Sequence, residues 1–193
     1  VACYAENNVP VVGKRQIELG REMSWLRINR YQLPQEGGAP EVVFVPVMCQ
    51  QCGHAPCESV CPVLATYHTL DGLNAMVYSR CVGSRYCANA CPTSARRFNF
   101  HTHVWPEPLH QQLNPDVSTR TMGVMEKCTF CVQRLRQVKN AYKSIDPQLT
   151  LPDEVLRHLP ACVEACPTQA LSFGNLNDER SAPNHLRKSG RSY

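Results

Sequence analysis

Cys49-Gln-Gln-Cys52-Gly-His-Ala-Pro-Cys57-Glu-Ser-Val-Cys61-Pro62 is the stretch on which the reading of this chain turns. Its cysteines are spaced as Cys-x2-Cys-x4-Cys-x3-Cys, and proline follows the last of them. A second group, Cys81-x5-Cys87-x3-Cys91-Pro92, repeats the ending and carries Ser84 where a cysteine is expected. A third runs Cys128-x2-Cys131 and closes, after thirty residues, with Cys162-x3-Cys166-Pro167. Of the 12 cysteines only Cys3 stands outside these groups. Thiolates at such spacing converge on one inorganic centre, whereas disulfide frameworks scatter their partners over loops. Two Cys-x2-Cys knuckles would also suit a tetrahedral zinc ion. Zinc does not call for the further cysteines closed by proline, so iron–sulfur clusters are the expected ligand.

Composition narrows the rest. The 193 residues allow one domain or two small ones. Net charge is +4 without a lysine or arginine run, so nothing points to nucleic acid. Arg80, Arg85, Arg96 and Arg97 flank the second cysteine group, where cations would offset thiolate-bound clusters and raise their potential. No stretch approaches the roughly 18 apolar residues of a membrane span. The chain opens at Val1-Ala2-Cys3 with no start methionine, signal peptide or twin-arginine leader, and reads as part of something longer.

Local patterns give an α+β expectation of short strands, short helices and long irregular loops. Ser24–Tyr31 alternates apolar and polar residues as a half-buried strand does, and Val42–Val47 is a second strand beyond the turn-rich connector Pro34–Pro40. Ala75–Tyr78 and Arg97–His101 are expected as a third and a fourth. Short helices are expected over Pro56–Val60 and Ala88–Ala90, each ended by Cys-Pro, because proline disfavours the α conformation in the residue before it. Residues 101–121 read as an irregular insertion, Glu126–Tyr142 as one longer helix carrying Cys128 and Cys131 near its start, and the tail after Phe173 as polar and poorly ordered or draped on a partner.

In bacterial-type two-cluster ferredoxins the fourth cysteine of each group ligates the other group's cluster. That crossing rule pairs Cys49, Cys52, Cys57 and Cys91 around one [4Fe–4S] cluster. Cys61, Cys81 and Cys87 are then left for a second, and three thiolates suit a [3Fe–4S] centre lacking the iron that Ser84 would hold. A serinate-ligated [4Fe–4S] cluster is the competing reading. Cys3, Cys128, Cys131 and Cys162 make a third, [4Fe–4S], site, with Cys3 as the last cysteine of a group that begins upstream. Cys166 serves a fourth cluster whose other ligands lie upstream. All 12 cysteines are then used. The chain is expected as a single polyferredoxin domain over 1–193, built of tandem two-cluster units: 49–100 for the inner groups, 1–48 plus 122–193 for the outer ones, and the insertion 101–121.

These motifs resemble the four-cluster iron–sulfur subunits that accompany molybdopterin oxidoreductases, such as dimethyl sulfoxide, polysulfide and nitrate reductases. Within that group the chain is most similar to the ferredoxin-like portion of the quinol-oxidising iron–sulfur subunit of bacterial alternative complex III. The phrases that carry the likeness are Cys3-Tyr-Ala-Glu-Asn-Asn-Val-Pro-Val-Val-Gly-Lys14, Gly20-Arg-Glu-Met-Ser-Trp-Leu-Arg-Ile28, Arg80-Cys-Val-Gly-Ser-Arg-Tyr-Cys-Ala-Asn89 and Gly123-Val-Met-Glu-Lys-Cys-Thr-Phe-Cys-Val-Gln-Arg134. The resemblance implies three [4Fe–4S] clusters and one [3Fe–4S] cluster. It also implies a molybdopterin-enzyme-like domain upstream in the same chain, an integral-membrane quinol-oxidising partner, and multihaem cytochrome c subunits that take the electrons onward. The place it implies is peripheral, on the periplasmic face of the bacterial cytoplasmic membrane.

The remaining residues invite plainer readings. His54 lies inside a group whose ligand count is complete, so it reads as a neighbour of the cluster or a surface residue. Tyr86 and Phe130, placed between ligands, read as shields against water. No carboxylate pair or nucleotide-binding glycine loop is present, so no substrate-converting site is expected and the chain reads as a non-catalytic electron-transfer component. Two other functions stay open: an electron-transfer subunit of a molybdopterin-dependent reductase, and a free polyferredoxin carrier.

Overall fold

With 15 prolines and 10 glycines interrupting its apolar stretches, the chain forms many short elements rather than a few long ones. The computed structural model describes residues 1–144 and 151–190. Its elements run α1 (Ala2–Glu6), α2 (Lys14–Glu18), β1 (Arg27–Leu33), β2 (Glu41–Val47), α3 (Pro56–Ser59), β3 (Thr66–His68), β4 (Asn74–Met76), α4 (Tyr86–Asn89), β5 (Arg97–Phe98), β6 (Met125–Glu126), α5 (Val132–Lys143), α6 (Asp153–Leu156), α7 (Ala161–Glu164) and α8 (Ala182–Lys188). This is the expected α+β class of short strands and helices, as in small ferredoxin-like iron–sulfur domains. Residues 8–129 form one compact unit; residues 1–7 form another with the chain from 130 onward.

In the larger unit the strands make three separate antiparallel pairs, β1–β2, β3–β4 and β5–β6. The β1–β2 register sets Arg27 opposite Val47 and Leu33 opposite Glu41. Its base is tied down by Arg27, whose Nη1 and Nη2 donate to the carbonyls of Ser94 and Thr93 at 2.8 and 2.7 Å. The expected strands at Ser24–Tyr31, Val42–Val47, Ala75–Tyr78 and Arg97–His101 are all present with shifted ends. The strand β3 was not foreseen, because Thr66-Tyr67-His68 is too short to show a period of two.

The long helix differs from expectation. It begins at Val132, not Glu126, and both Cys128 and Cys131 precede it. Phe130 and Cys131 take left-handed backbone angles, φ 53° and 50°, which end any helix running into them. Met125 and Glu126 instead pair with Phe98 and Arg97. In the tail after Phe173, residues 182–188 are helical, capped by the Ser181 hydroxyl, which accepts from the Asn184 N–H; the last three residues of that tail lie outside those described. The insertion 101–121 is irregular apart from a 3-10 turn at Leu109–Gln112, yet it is anchored, since Asn8 Nδ2 donates to the carbonyls of Asn114 and Val117. Among the described residues no helix is long and apolar enough to cross a membrane.

Buried beneath these pairs is an ion pair. Arg120 Nη2 donates to Glu126 Oε2 at 2.9 Å, with the two side chains 1% and 0% exposed. Glu126 also accepts from Trp25 Nε1 and Asn99 Nδ2, so both of its carboxylate oxygens are engaged. Removing one partner of such a pair leaves a buried charge uncompensated. Glu126→Ala is therefore expected to destabilise the chain by about 3–5 kcal/mol, read as a fall of roughly 6–20 °C in the thermal midpoint. Glu126→Gln, which keeps the acceptor, is expected to fall less.

Candidate metal-cluster sites

The three cysteine groups fold as repeats of one local design. In each, the residue before the second ligand position is left-handed: Gln51 (φ 49°), Gly83 (φ 72°) and Phe130 (φ 53°). Ser84 thus occupies the same backbone place as Cys52 and Cys131. The third cysteine of each group, Cys57, Cys87 or Cys162, is the second residue of its short helix α3, α4 or α7. Proline then stops the chain, and the third residue past the last cysteine is again left-handed: Leu64 (φ 50°), Ser94 (φ 49°) and Gln169 (φ 52°).

This turn aims backbone N–H groups at the last sulfur. Ala65 N donates to Cys61 Sγ at 3.2 Å and Ala95 N to Cys91 Sγ at 3.4 Å. Burial opposes ionisation of Cys61 and Cys91, but these N–H groups, with the Thr93 hydroxyl at Cys91, outweigh it and hold both thiols below the usual range. The half-buried Cys166 is lowered in the same way, by the Thr168 hydroxyl and the Ala170 N–H. Cys3 departs from the pattern. No proline follows it, so it lies inside α1, where Asn7 Nδ2 approaches its sulfur at 3.8 Å.

One cavity gathers a complete set of expected residues. Cys61, Cys81 and Cys87 line it together with Ser84, walled by Thr66, Met76, Gly83 and Met125. Met125 N donates to Cys81 Sγ at 3.5 Å. Gly83 is required there: a Cβ would run into the carbonyl oxygen of Gly123 and the ring of Phe98. Burial pushes the Cys87 thiol up, and Arg96 partly reverses it.

Within the same unit Cys57 is buried with Ala55, Cys87 and Met125, and Cys52 packs against that group. Burial raises the Cys57 thiol, opposed by the Arg96 guanidinium, while Cys49 faces it as a like charge. Cys91, by contrast, is tied by its described contacts to Thr93 and Ala95, and none of them reaches Cys49 or Cys52. In the smaller unit Cys3 faces Cys131 and Cys162, and burial pushes its thiol up to about 12. Asn7 Nδ2 donates to Cys131 Sγ at 3.6 Å.

The donor set fits iron–sulfur chemistry. These are sulfur donors, with fixed N–H groups and one buried cation, Arg96, aimed at them, which is what an anionic thiolate-bound cluster needs. Among the described residues no three His, Cys, Asp or Glu side chains close on a single ion.

Of the four arginines flagged by the sequence, only Arg96 is buried and touches a thiol, donating to Cys57 Sγ at 3.1 Å. Arg97 pairs with Glu22, Arg80 donates to the Leu64 carbonyl, and Arg85 stacks on Phe98. Tyr86 does not shield: it is 61% exposed, because the first position of α4 faces away while Cys87 faces in. Phe130 is half-buried and packs edge-on against Phe173. His54 is exposed. Lys127, Asn74 and Gln51 were not anticipated. Lys127 is fully buried, with burial pulling its ammonium towards neutrality. A lysine beside a cysteine has no sequence signature that separates it from a surface one.

No family model matches the chain. Curated relatives do. The menaquinone reductase iron–sulfur cluster-binding subunit of Nitratidesulfovibrio vulgaris is 40% identical over 98% of this chain and 74% of its own length. The Hdr-like menaquinol oxidoreductase iron–sulfur subunit 1 of Archaeoglobus fulgidus is 38% identical over 94% of this chain, which spans 61% of that protein. The thiosulfate reductase electron transfer subunit of Salmonella typhi is 37% identical over 92% of this chain and 68% of its own length. With the cysteine repeats, these likenesses show that the chain belongs to the iron–sulfur, electron-transfer subunits of menaquinone-linked oxidoreductases and respiratory reductases.

Proposed function

We propose that this chain relays single electrons from a quinol-oxidising membrane subunit towards multihaem cytochrome c subunits, as the iron–sulfur portion of an alternative complex III-type assembly on the periplasmic face. The observation that carries the reading is the cavity ringed by Cys61, Cys81 and Cys87, with Ser84 in the fourth position. Iron–sulfur clusters, when bound, accept and release one electron at a time, and their type and surroundings set the potential. Three thiolates fit a [3Fe–4S] centre at that cavity. We assign Cys49, Cys52, Cys57 and Cys91 to a [4Fe–4S] cluster. Cys3, Cys128, Cys131 and Cys162 hold another, in which Cys128 is placed by its spacing from Cys131. Cys166 contributes to a fourth, completed by residues outside this sequence. The protein's own work is to hold thiolates with N–H groups and to exclude water around Cys57 and Cys87.

The menaquinone reductase relative favours a second reading, in which electrons run through the same thiolate sites towards quinone. Both share a test: low-temperature electron paramagnetic resonance of the intact complex, oxidised and then reduced stepwise. A signal in the oxidised sample, lost early on reduction, is expected from the [3Fe–4S] centre. An oxidised sample without it would overturn the assignment at Cys61, Cys81 and Cys87. Direction follows from the donor: menaquinol added alone bleaches the signal if the chain accepts from quinol, and leaves it intact if electrons run the other way.

A further inference from the structure

Arg96 follows the second Cys-Pro turn and is 5% exposed. Its guanidinium is spread over four acceptors. Nη2 donates to Cys57 Sγ at 3.1 Å and to Asn74 Oδ1 at 2.6 Å; Nη1 donates to Thr66 Oγ1 at 3.0 Å and meets Met76 Sδ at 3.4 Å. Asn74 is itself fixed, its N–H on Gln51 Oε1 and its Nδ2 on Glu58 Oε1. Among the described residues no carboxylate pairs with Arg96. A guanidinium taken out of water needs a counter-charge. Burial works against its charge, yet the thiolates of Cys57 and Cys87, with Cys49 behind them, more than reverse that.

Those thiolates belong to different sets. Cys57 falls in the group assigned to the first cluster, whereas Cys87 lines the cavity of the second. One always-charged cation, locked by four contacts, therefore touches the Cys57 thiol, which packs with Cys87 in one buried group. Lys127, the other buried cation nearby, donates to the Cys128 carbonyl rather than to a thiol, and burial disfavours its charge. Reduction adds negative charge to a thiolate-bound cluster. A fixed positive charge and an N–H on sulfur favour that reduced state, more strongly where water is excluded.

Resting on the assignment of two clusters to the larger unit, we infer that Arg96 is the shared positioning residue that raises the reduction potential of both, through Cys57 in one and Cys87 in the other.

The test is redox titration of the intact complex, following the paramagnetic signal of each cluster separately in wild type, Arg96→Gln and Arg96→Lys. In Arg96→Gln both midpoints are expected to fall. Each fall corresponds to at least a tenfold change in the one-electron equilibrium, about 59 mV. The cluster assigned to Cys3, Cys128, Cys131 and Cys162 serves as internal reference and stays in place. Arg96→Lys keeps the charge but loses the fork, so both midpoints fall by less. If only one midpoint moves, or neither does with iron content unchanged, the inference is overturned. Should Arg96→Gln fail to load iron, the lysine variant decides: a fall in both midpoints supports the inference, and unchanged midpoints overturn it. Failure of the underlying assignment looks different, because wild type itself would then lack two titrating signals in addition to the reference.

Discussion

Ser84→Cys is expected to abolish the paramagnetic signal of the oxidised complex and to add one iron per chain. The argument is geometric before it is electronic. Ser84 follows the left-handed Gly83 just as Cys52 follows Gln51 and Cys131 follows Phe130, so the backbone already presents this position as a ligand position. Its side chain lines the cavity shared by Cys61, Cys81 and Cys87. A cysteine there supplies a fourth thiolate, and four thiolates hold a cubane. An oxidised [4Fe–4S] cluster is silent where an oxidised [3Fe–4S] cluster is not. Quinol-driven electron transfer is expected to drop at least tenfold, because cluster type is one of the main determinants of potential. Ser84→Ala separates the alternatives. It should leave signal, iron content and rate unchanged if serine is a bystander. Loss of iron in Ser84→Ala would show that the hydroxyl oxygen is itself a ligand.

The repeated turns of the three cysteine groups could be read from spacing alone, and the reasons why other features could not are physical. The cysteine groups were legible because Cys-x2-Cys and Cys-x3-Cys-Pro dictate local backbone shapes, and all three Cys-Pro turns adopt one conformation with the same positive φ three residues on. Strand β1 was legible because apolar and polar residues alternate along Ser24–Tyr31, and β2 because Val42–Val47 is a short apolar-rich run. The start of α5 was misplaced because helical periodicity runs back through Cys128, and it takes the left-handed Phe130 and Cys131 to stop it. The pairing of Met125–Glu126 with Arg97–Phe98 is a contact across the whole insertion, and no local pattern of two residues announces it. The roles of the four arginines were equally hidden. Arg96 and Arg97 are neighbours, yet successive positions reach opposite sides of the chain there, so one touches the Cys57 thiol and the other Glu22.

Stripping the iron with a chelator under mild oxidation is expected to unfold the larger unit rather than leave an empty scaffold. Its buried apolar residues include Cys49, Cys57, Cys87 and Cys128, interleaved with Ala55, Ala65 and Ala95, so sulfur stands where another domain would place leucine or phenylalanine. The strand pairs β3–β4 and β5–β6 are three and two residues long, too short to persist without something to pack on. Without the clusters, Cys57 and Cys87 revert to neutral thiols, since burial raises both. Arg96 then faces no anion, and a buried charge without a partner favours the unfolded chain. When a preformed site is absent from the unfolded state, ligand binding energy is folding energy. The expected readout is a red shift in the emission of the buried Trp25, with loss of hydrogen-exchange protection at the Asn99 and Gly123 amides, which bond to Val124 and Asn99 across the insertion. Protection at those two amides approaches that of an unfolded chain if the clusters are the core. An iron-free chain that kept both amides protected would mean that the Arg120–Glu126 and Trp25 network alone carries the fold.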